Sequence, residues 1–68
     1  MIKITMHING DLIKKIDLEN VITVSDLLRR VDLSVDSNIV LYKGTPLPDT
    51  YLIDKDIDIH VITVFSGG

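Results

Sequence analysis

The chain has 68 residues, no cysteine, 10 acidic and 7 basic side chains, and a formal charge of −3. That length holds one small domain, and the missing thiols exclude disulfides, zinc–thiolate sites and a cysteine nucleophile. The acidic balance argues against a binder of nucleic-acid phosphates. No apolar run reaches transmembrane length, and the polar interruptions near the N-terminus are unlike a signal peptide. The expectation is a soluble cytoplasmic protein that engages neither nucleic acid nor membrane.

Met1 to Ile8 alternates, with Ile2, Ile4, Met6 and Ile8 on one face and Lys3, Thr5 and His7 on the other, the period of a half-buried strand. Asn9-Gly10-Asp11 is a tight-turn signal, and Leu12 to Leu18 is the returning strand. Lys14-Lys15 breaks its alternation and leaves the register open by one residue. A bulge or slightly longer loop near Asp11 would absorb that slip. Thr23 is a helix N-cap, and Asp26 can answer it in a capping box. Val24, Leu27, Leu28 and Val31 fall on one helical stripe, with Asp26 towards the positive end of the dipole and Arg29 and Arg30 towards the negative end. So short a helix has no independent stability, so it must pack across a sheet.

Asp32 to Asn38 is a polar connection anchored by Leu33 and Val35. Ile39 to Lys43 is a third strand, turned by Gly44-Thr45-Pro46, and Pro46 and Pro48 confine any strand at Leu47 to an edge. Asp49 to Leu52 is a turn or a single helical turn, Asp54-Lys55-Asp56 is another turn, and the last strand runs from Ile57 to Phe65. The first and last strands are the most apolar and should lie side by side at the centre. The helical crossover between the second and third strands should be right-handed. This order predicts an α+β, β-grasp domain over residues 1–65: a mixed sheet of four to five strands with one main helix across one face.

Residues 66–68 then form a tail, with Gly67 and Gly68 following directly on a β-type run. Glycine lacks Cβ, so its backbone can enter a slot too narrow for other residues. Extended, Ser66 to Gly68 reach about 10 Å beyond the domain. A terminal Gly-Gly is also compatible with an ordinary frayed end.

Three segments carry a resemblance to the ubiquitin-like sulfur carriers. Ile39-Val40-Leu41-Tyr42-Lys43-Gly44 resembles the family's strand and glycine turn. Leu52-Ile53-Asp54-Lys55-Asp56 resembles its L-x-D-G-D turn, with Lys55 standing where the family usually has glycine. His60 to Gly68 resembles the final strand and tail. Among subfamilies the chain looks more like the thiamine-pathway carrier (ThiS-type) than the molybdopterin-synthase small subunit (MoaD-type).

The resemblance implies a carrier substrate with no catalytic residues of its own, not an enzyme. A ubiquitin-activating-type adenylyltransferase would use ATP and Mg²⁺, neither bound by this chain, to adenylate the Gly68 carboxylate. A persulfide sulfur donor would then displace AMP and leave a thiocarboxylate, to be spent by thiazole synthase or another sulfur acceptor. Alternatives are conjugation through Gly68 to target lysines, sulfur delivery for molybdopterin or tRNA thiolation, or an interaction module whose Gly-Gly end is incidental. Gly67 would govern access to the partner's channel, with Ser66 and Phe65 as the hinge.

Docking needs an exposed apolar area beside the tail. If Ile57, Ile59 and Val61 face the helix, then His60, Ile62 and Val64 face the opposite side. With Val40 and Tyr42 inward and Leu41 outward, the patch is Leu41, His60, Ile62, Val64 and Phe65. It corresponds to the usual partner-binding face of ubiquitin-like domains. His7 and His60 lack a third metal-ligand motif, and Asp54-Lys55-Asp56-Ile57-Asp58 lacks the glycine and final glutamate of a calcium loop, so no metal site is expected. Ser34 and Ser37 have no triad-like context, and no glycine-rich loop is present to cradle phosphate.

Overall fold

The computed structural model describes residues 1–64. In chain order these form β1 (Ile2–Ile8), β2 (Leu12–Leu18), β3 (Ile22–Thr23), α1 (Val24–Arg30), β4 (Asn38–Tyr42), β5 (Thr45–Leu47), β6 (Leu52–Ile53) and β7 (Ile57–Thr63). The main sheet has the strand order β2-β1-β7-β4-β5, and β3 and β6 make a separate short ladder. β1 and β7 are parallel neighbours, while the other pairings in the main sheet are antiparallel. This is the ubiquitin-like β-grasp.

The β1–β7 register places Ile4 beside Ile57, Met6 beside Ile59 and Ile8 beside Val61. These six side chains, with Val40 from β4 and Val24, Leu27 and Leu28 from α1, form the centre of the core. Among the described residues no polar or charged side chain is buried. Cohesion therefore comes from apolar burial and packing density.

The helix is held at both ends. At its start, Thr23 Oγ1 accepts the Asp26 N–H at 3.1 Å. The Val24 and Ser25 N–H groups donate to the carbonyls of Tyr51 and Asp49, each at 3.0 Å. First-turn donors that have no partner within a helix thus find one in the loop before β6. Asp26 does not complete a capping box among the described hydrogen bonds. Its carboxylate instead lies 3.6 Å from Arg29, with both side chains exposed.

At the other end the Leu33 N–H reaches the Leu28 carbonyl at 2.8 Å, and the Asp32 N–H reaches Arg29 at 3.1 Å. This is a Schellman closure in which Asp32, at φ 61°, occupies the left-handed position usually filled by glycine. Val31 becomes the C-cap, and Leu33 folds back against the core.

Several boundaries differ from the sequence reading. Residues 9–11 close the first hairpin, with Asn9 and Gly10 at φ 52° and 81°, so Leu12 pairs with Ile8 and Lys14 with Met6. The longer loop absorbs the register slip. Leu12 and Lys14 share the core-side parity yet remain exposed, and burial on β2 begins only with Ile16 and Leu18. The β4–β5 turn is Lys43-Gly44, at φ 50° and 81°. Thr45 and Pro46 are already in β5, which runs along the sheet margin where proline's missing donor is tolerated.

Leu52 belongs to β6, not to the turn before it, and that turn is closed by the Tyr51 N–H to the Pro48 carbonyl at 3.0 Å. β7 runs to Thr63, opposite Asn38 at the start of its partner β4, and Phe65, the expected end of the strand, lies outside the described residues. Lys55 lies outside the left-handed region, so this turn works without the family's glycine. Instead the Asp56 carboxylate accepts the Lys3 N–H at 2.8 Å and ties the turn to the start of β1. Among the described residues no helix is long and apolar enough to cross a membrane.

Two stability changes follow from this packing. Leu28→Ala, a truncation at a site 1% exposed, should cost about 2–5 kcal/mol in urea unfolding. Asp32→Gly should raise stability by about 0.5–1 kcal/mol, because glycine adopts a positive φ without a Cβ penalty.

Candidate functional site

With the helix covering one face of the sheet, the opposite parity of every strand is left open. Thr5 and His7 on β1, Asp58, His60 and Ile62 on β7, and Ile39 and Leu41 on β4 share that open face. One row crosses the whole sheet: Ile13, His7, His60, Leu41 and Pro46 are successive cross-strand partners. Beside it Ile39 pairs with Ile62. Ile13, Ile39 and Ile62 are 57%, 42% and 43% exposed, which is unusual apolar exposure for a strand face.

The two histidines organise the middle of this row. Their rings stack with centroids 4.7 Å apart and planes 18° from parallel. His7 Nε2 lies 2.6 Å from the Asp58 carboxylate, which fixes one ring against which the other packs. The surface around them is a shallow depression lined by His7, Gly10, Leu41, Gly44, His60 and Ile62. Both of these glycines have positive φ. Among the described residues no three potential ligands converge to hold a metal ion.

Of the residues singled out in the sequence, Leu41, His60 and Ile62 lie together on this face. Val64 sits just beyond the last β7 pair, half-buried, with its N–H donating to the Ser37 carbonyl at 2.7 Å. Phe65, Ser66, Gly67 and Gly68 lie outside the described residues. His7, Ile13 and Ile39 join the face although the sequence reading left them aside. Counting strand parity on β1 and β4 locates His7 and Ile39. Ile13 also needed the length of the first hairpin loop.

A second feature went unrecognised in sequence. Thr63, at the end of β7, is hydrogen-bonded to Asn9 from the first hairpin and to Asn38 from the start of β4. No periodicity announces such a contact between residues so far apart in the chain.

The family model for small archaeal modifier protein 2 matches residues 2–65. The chain belongs to that family. Its members are small ubiquitin-like proteins that act as modifiers or sulfur carriers, not as catalysts. The match supports the ubiquitin-like modifier and sulfur-carrier family without singling out the thiamine-pathway carriers that the resemblance ranks first. The curated proteins hold no match to this chain.

Among solved structures, the ubiquitin of Caldiarchaeum subterraneum superposes with a TM-score of 0.71 at 22% identity, covering 98% of each chain. The ubiquitin-like domain of Plasmodium falciparum Dsk2 gives 0.70 at 22% identity, over 91% of this chain and 96% of that one. At such identities these likenesses establish the fold alone.

Proposed function

We propose that this protein is a carrier acted on at Gly68 by an ATP-dependent adenylyltransferase of the ubiquitin-activating type. The observation that carries the reading is membership of the modifier and sulfur-carrier family over residues 2–65, combined with the Ser66-Gly67-Gly68 sequence that follows. A carboxylate is a poor acylating agent because oxide is its leaving group. Attack of a Gly68 oxygen on the α-phosphorus of Mg²⁺-bound ATP expels pyrophosphate and leaves an acyl-adenylate with AMP as the leaving group. ATP and Mg²⁺ are the activating enzyme's, and this chain supplies only the acid.

The terminal sulfur of a donor persulfide then attacks the acyl carbon and AMP departs. A thiol reduces the resulting acyl persulfide, leaving a thiocarboxylate on Gly68 and a disulfide on the donor side. A thiocarboxylate retains the nucleophilic character of a thiolate, and the chain has no cysteine to compete for the sulfur. Thiazole synthase is one acceptor for such a sulfur, and the molybdopterin and tRNA-thiolation enzymes are others. The family's description as modifiers favours a second outcome of the same activation, in which a target lysine amine displaces AMP and an isopeptide bond forms.

Docking would use the open face around Leu41, His60 and Ile62, with Val64 and Phe65 leading to the tail. Gly67 and Ser66 would pass through a channel that closes on bare backbone. Co-expression with the activating enzyme and intact-mass measurement tests the reading. Replacement of one terminal oxygen by sulfur supports the carrier, isopeptide-linked products support the modifier, and an unmodified chain refutes both.

Deleting Gly68 should abolish activation and leave the melting temperature unchanged, as read by adenylate formation and thermal unfolding. Ile62→Glu, at a site 43% exposed, should raise the KM for the activating enzyme about tenfold or more by burying an unpaired charge at the contact, with little change in melting.

A further inference from the structure

Three segments distant in sequence converge on Thr63, the last paired residue of β7. Asn9 Oδ1 accepts the Thr63 N–H at 2.9 Å, and Asn9 Nδ2 donates to Thr63 Oγ1 at 3.1 Å. Thr63 Oγ1 donates in turn to Asn38 Oδ1 at 2.8 Å, and Asn38 Nδ2 donates to the Ser34 carbonyl at 2.7 Å. Two main-chain bonds frame the group: Asn9 N–H to the Val61 carbonyl at 2.8 Å, and Val64 N–H to the Ser37 carbonyl at 2.7 Å. Donors and acceptors alternate without conflict from Ser34 to the Thr63 backbone, which fixes the orientation of both amides.

The location of this network is unusual for a stability device. Its side-chain bonds are exposed to solvent, where an intramolecular hydrogen bond trades against one to water and contributes little. Directional bonds at the surface do, however, fix geometry. A strand end ordinarily frays, whereas the end of β7 is held from the first hairpin on one side and from the start of β4 on the other. Asn9 reaches it from a left-handed backbone position, φ 52°, one of the few conformations where asparagine is favoured over most residues.

We infer that Asn9, Thr63 and Asn38 form a clamp that holds the end of β7, through Val64, in one orientation on the domain. The three are positioning residues for the terminal reaction. This rests on the reading of Gly68 as the activated group. Docking through the open face brings the domain to its partner, and the clamp fixes the point from which Gly68 must reach the reacting phosphorus, a step in which misplacement carries a steep rate cost. The two roles separate kinetically, because the face governs KM and the clamp governs kcat.

The test uses the full-length chain with substitutions that spare the fold. Thr63→Val keeps the β-branch and removes the hydroxyl, Thr63→Ser restores it, and Asn9→Gly removes the amide while accepting the positive φ. Acyl-adenylate formation is followed by ATP–pyrophosphate exchange on the activating enzyme. Thr63→Val and Asn9→Gly should lower kcat by at least about tenfold with KM unchanged, and Thr63→Ser should recover it. Backbone ¹⁵N relaxation at Val64 should show increased fast motion in the first two variants and wild-type order in the third.

Unchanged kcat, or a loss confined to KM, overturns the inference, as does a Val64 amide equally ordered in Thr63→Val and wild type. A wild-type chain that supports no exchange refutes the reading of Gly68 and the activation half of this inference with it. The relaxation data then decide whether the clamp exists.

Discussion

The parallel contact between β1 and β7 is the constraint on which the rest of the structure depends. Parallel neighbours cannot be joined by a tight turn, so the chain between them must leave the sheet and return. Here that excursion supplies the helix and the short β3–β6 ladder, β2 as one edge of the main sheet, and β4 with the edge strand β5 on the other flank. The contact aligns Ile4, Met6 and Ile8 with Ile57, Ile59 and Val61, a surface that only a helix with Val24, Leu27 and Leu28 on one stripe can close. Because both strands run the same way, the end of β7 emerges beside the first hairpin turn. Asn9 can therefore touch Thr63.

The open face is a by-product of the same arrangement. Strand side chains alternate, so each residue committed to the core obliges its neighbours to face outward. On a two-layer fold with one helix, nothing in the described chain covers them. That exposure would be a liability for a domain without partners and an asset for one handed between enzymes. The exposed apolar residues of this face extend to Ile62, one residue before the end of β7.

Much of this was legible in sequence because it is written in short-range periods. The alternation of β1, the stripe and N-cap of α1, and the marginal position enforced by Pro46 each depend on neighbouring residues, and each appears as read. Features that depend on long-range partners were not. The β3–β6 ladder is too short to leave a period. Asp32 occupies a left-handed position without being glycine, so the helix end carried no clear marker, and Lys43 does the same in the β4–β5 turn, which Gly44 marks one residue late. Lys55 shows the converse, standing where relatives use glycine in a turn that does not need it. The Asn9–Thr63 contact spans 54 positions, and nothing local distinguishes Asn9 from any other turn asparagine. Leu41, His60 and Ile62 fell on a common face because parity in two strands suffices, whereas the histidine stack required the register between strands.

The two margins of the main sheet have a bearing on life at high concentration. An unpaired outer strand invites a second copy to zip on, and proteins with such rims blunt them with lysine, proline or brevity. Here one rim carries the exposed Lys14-Lys15 pair, and the other is a stub of three residues interrupted by Pro46. Charge on the long rim, and brevity with proline on the short one, make each a poor template for a growing fibril.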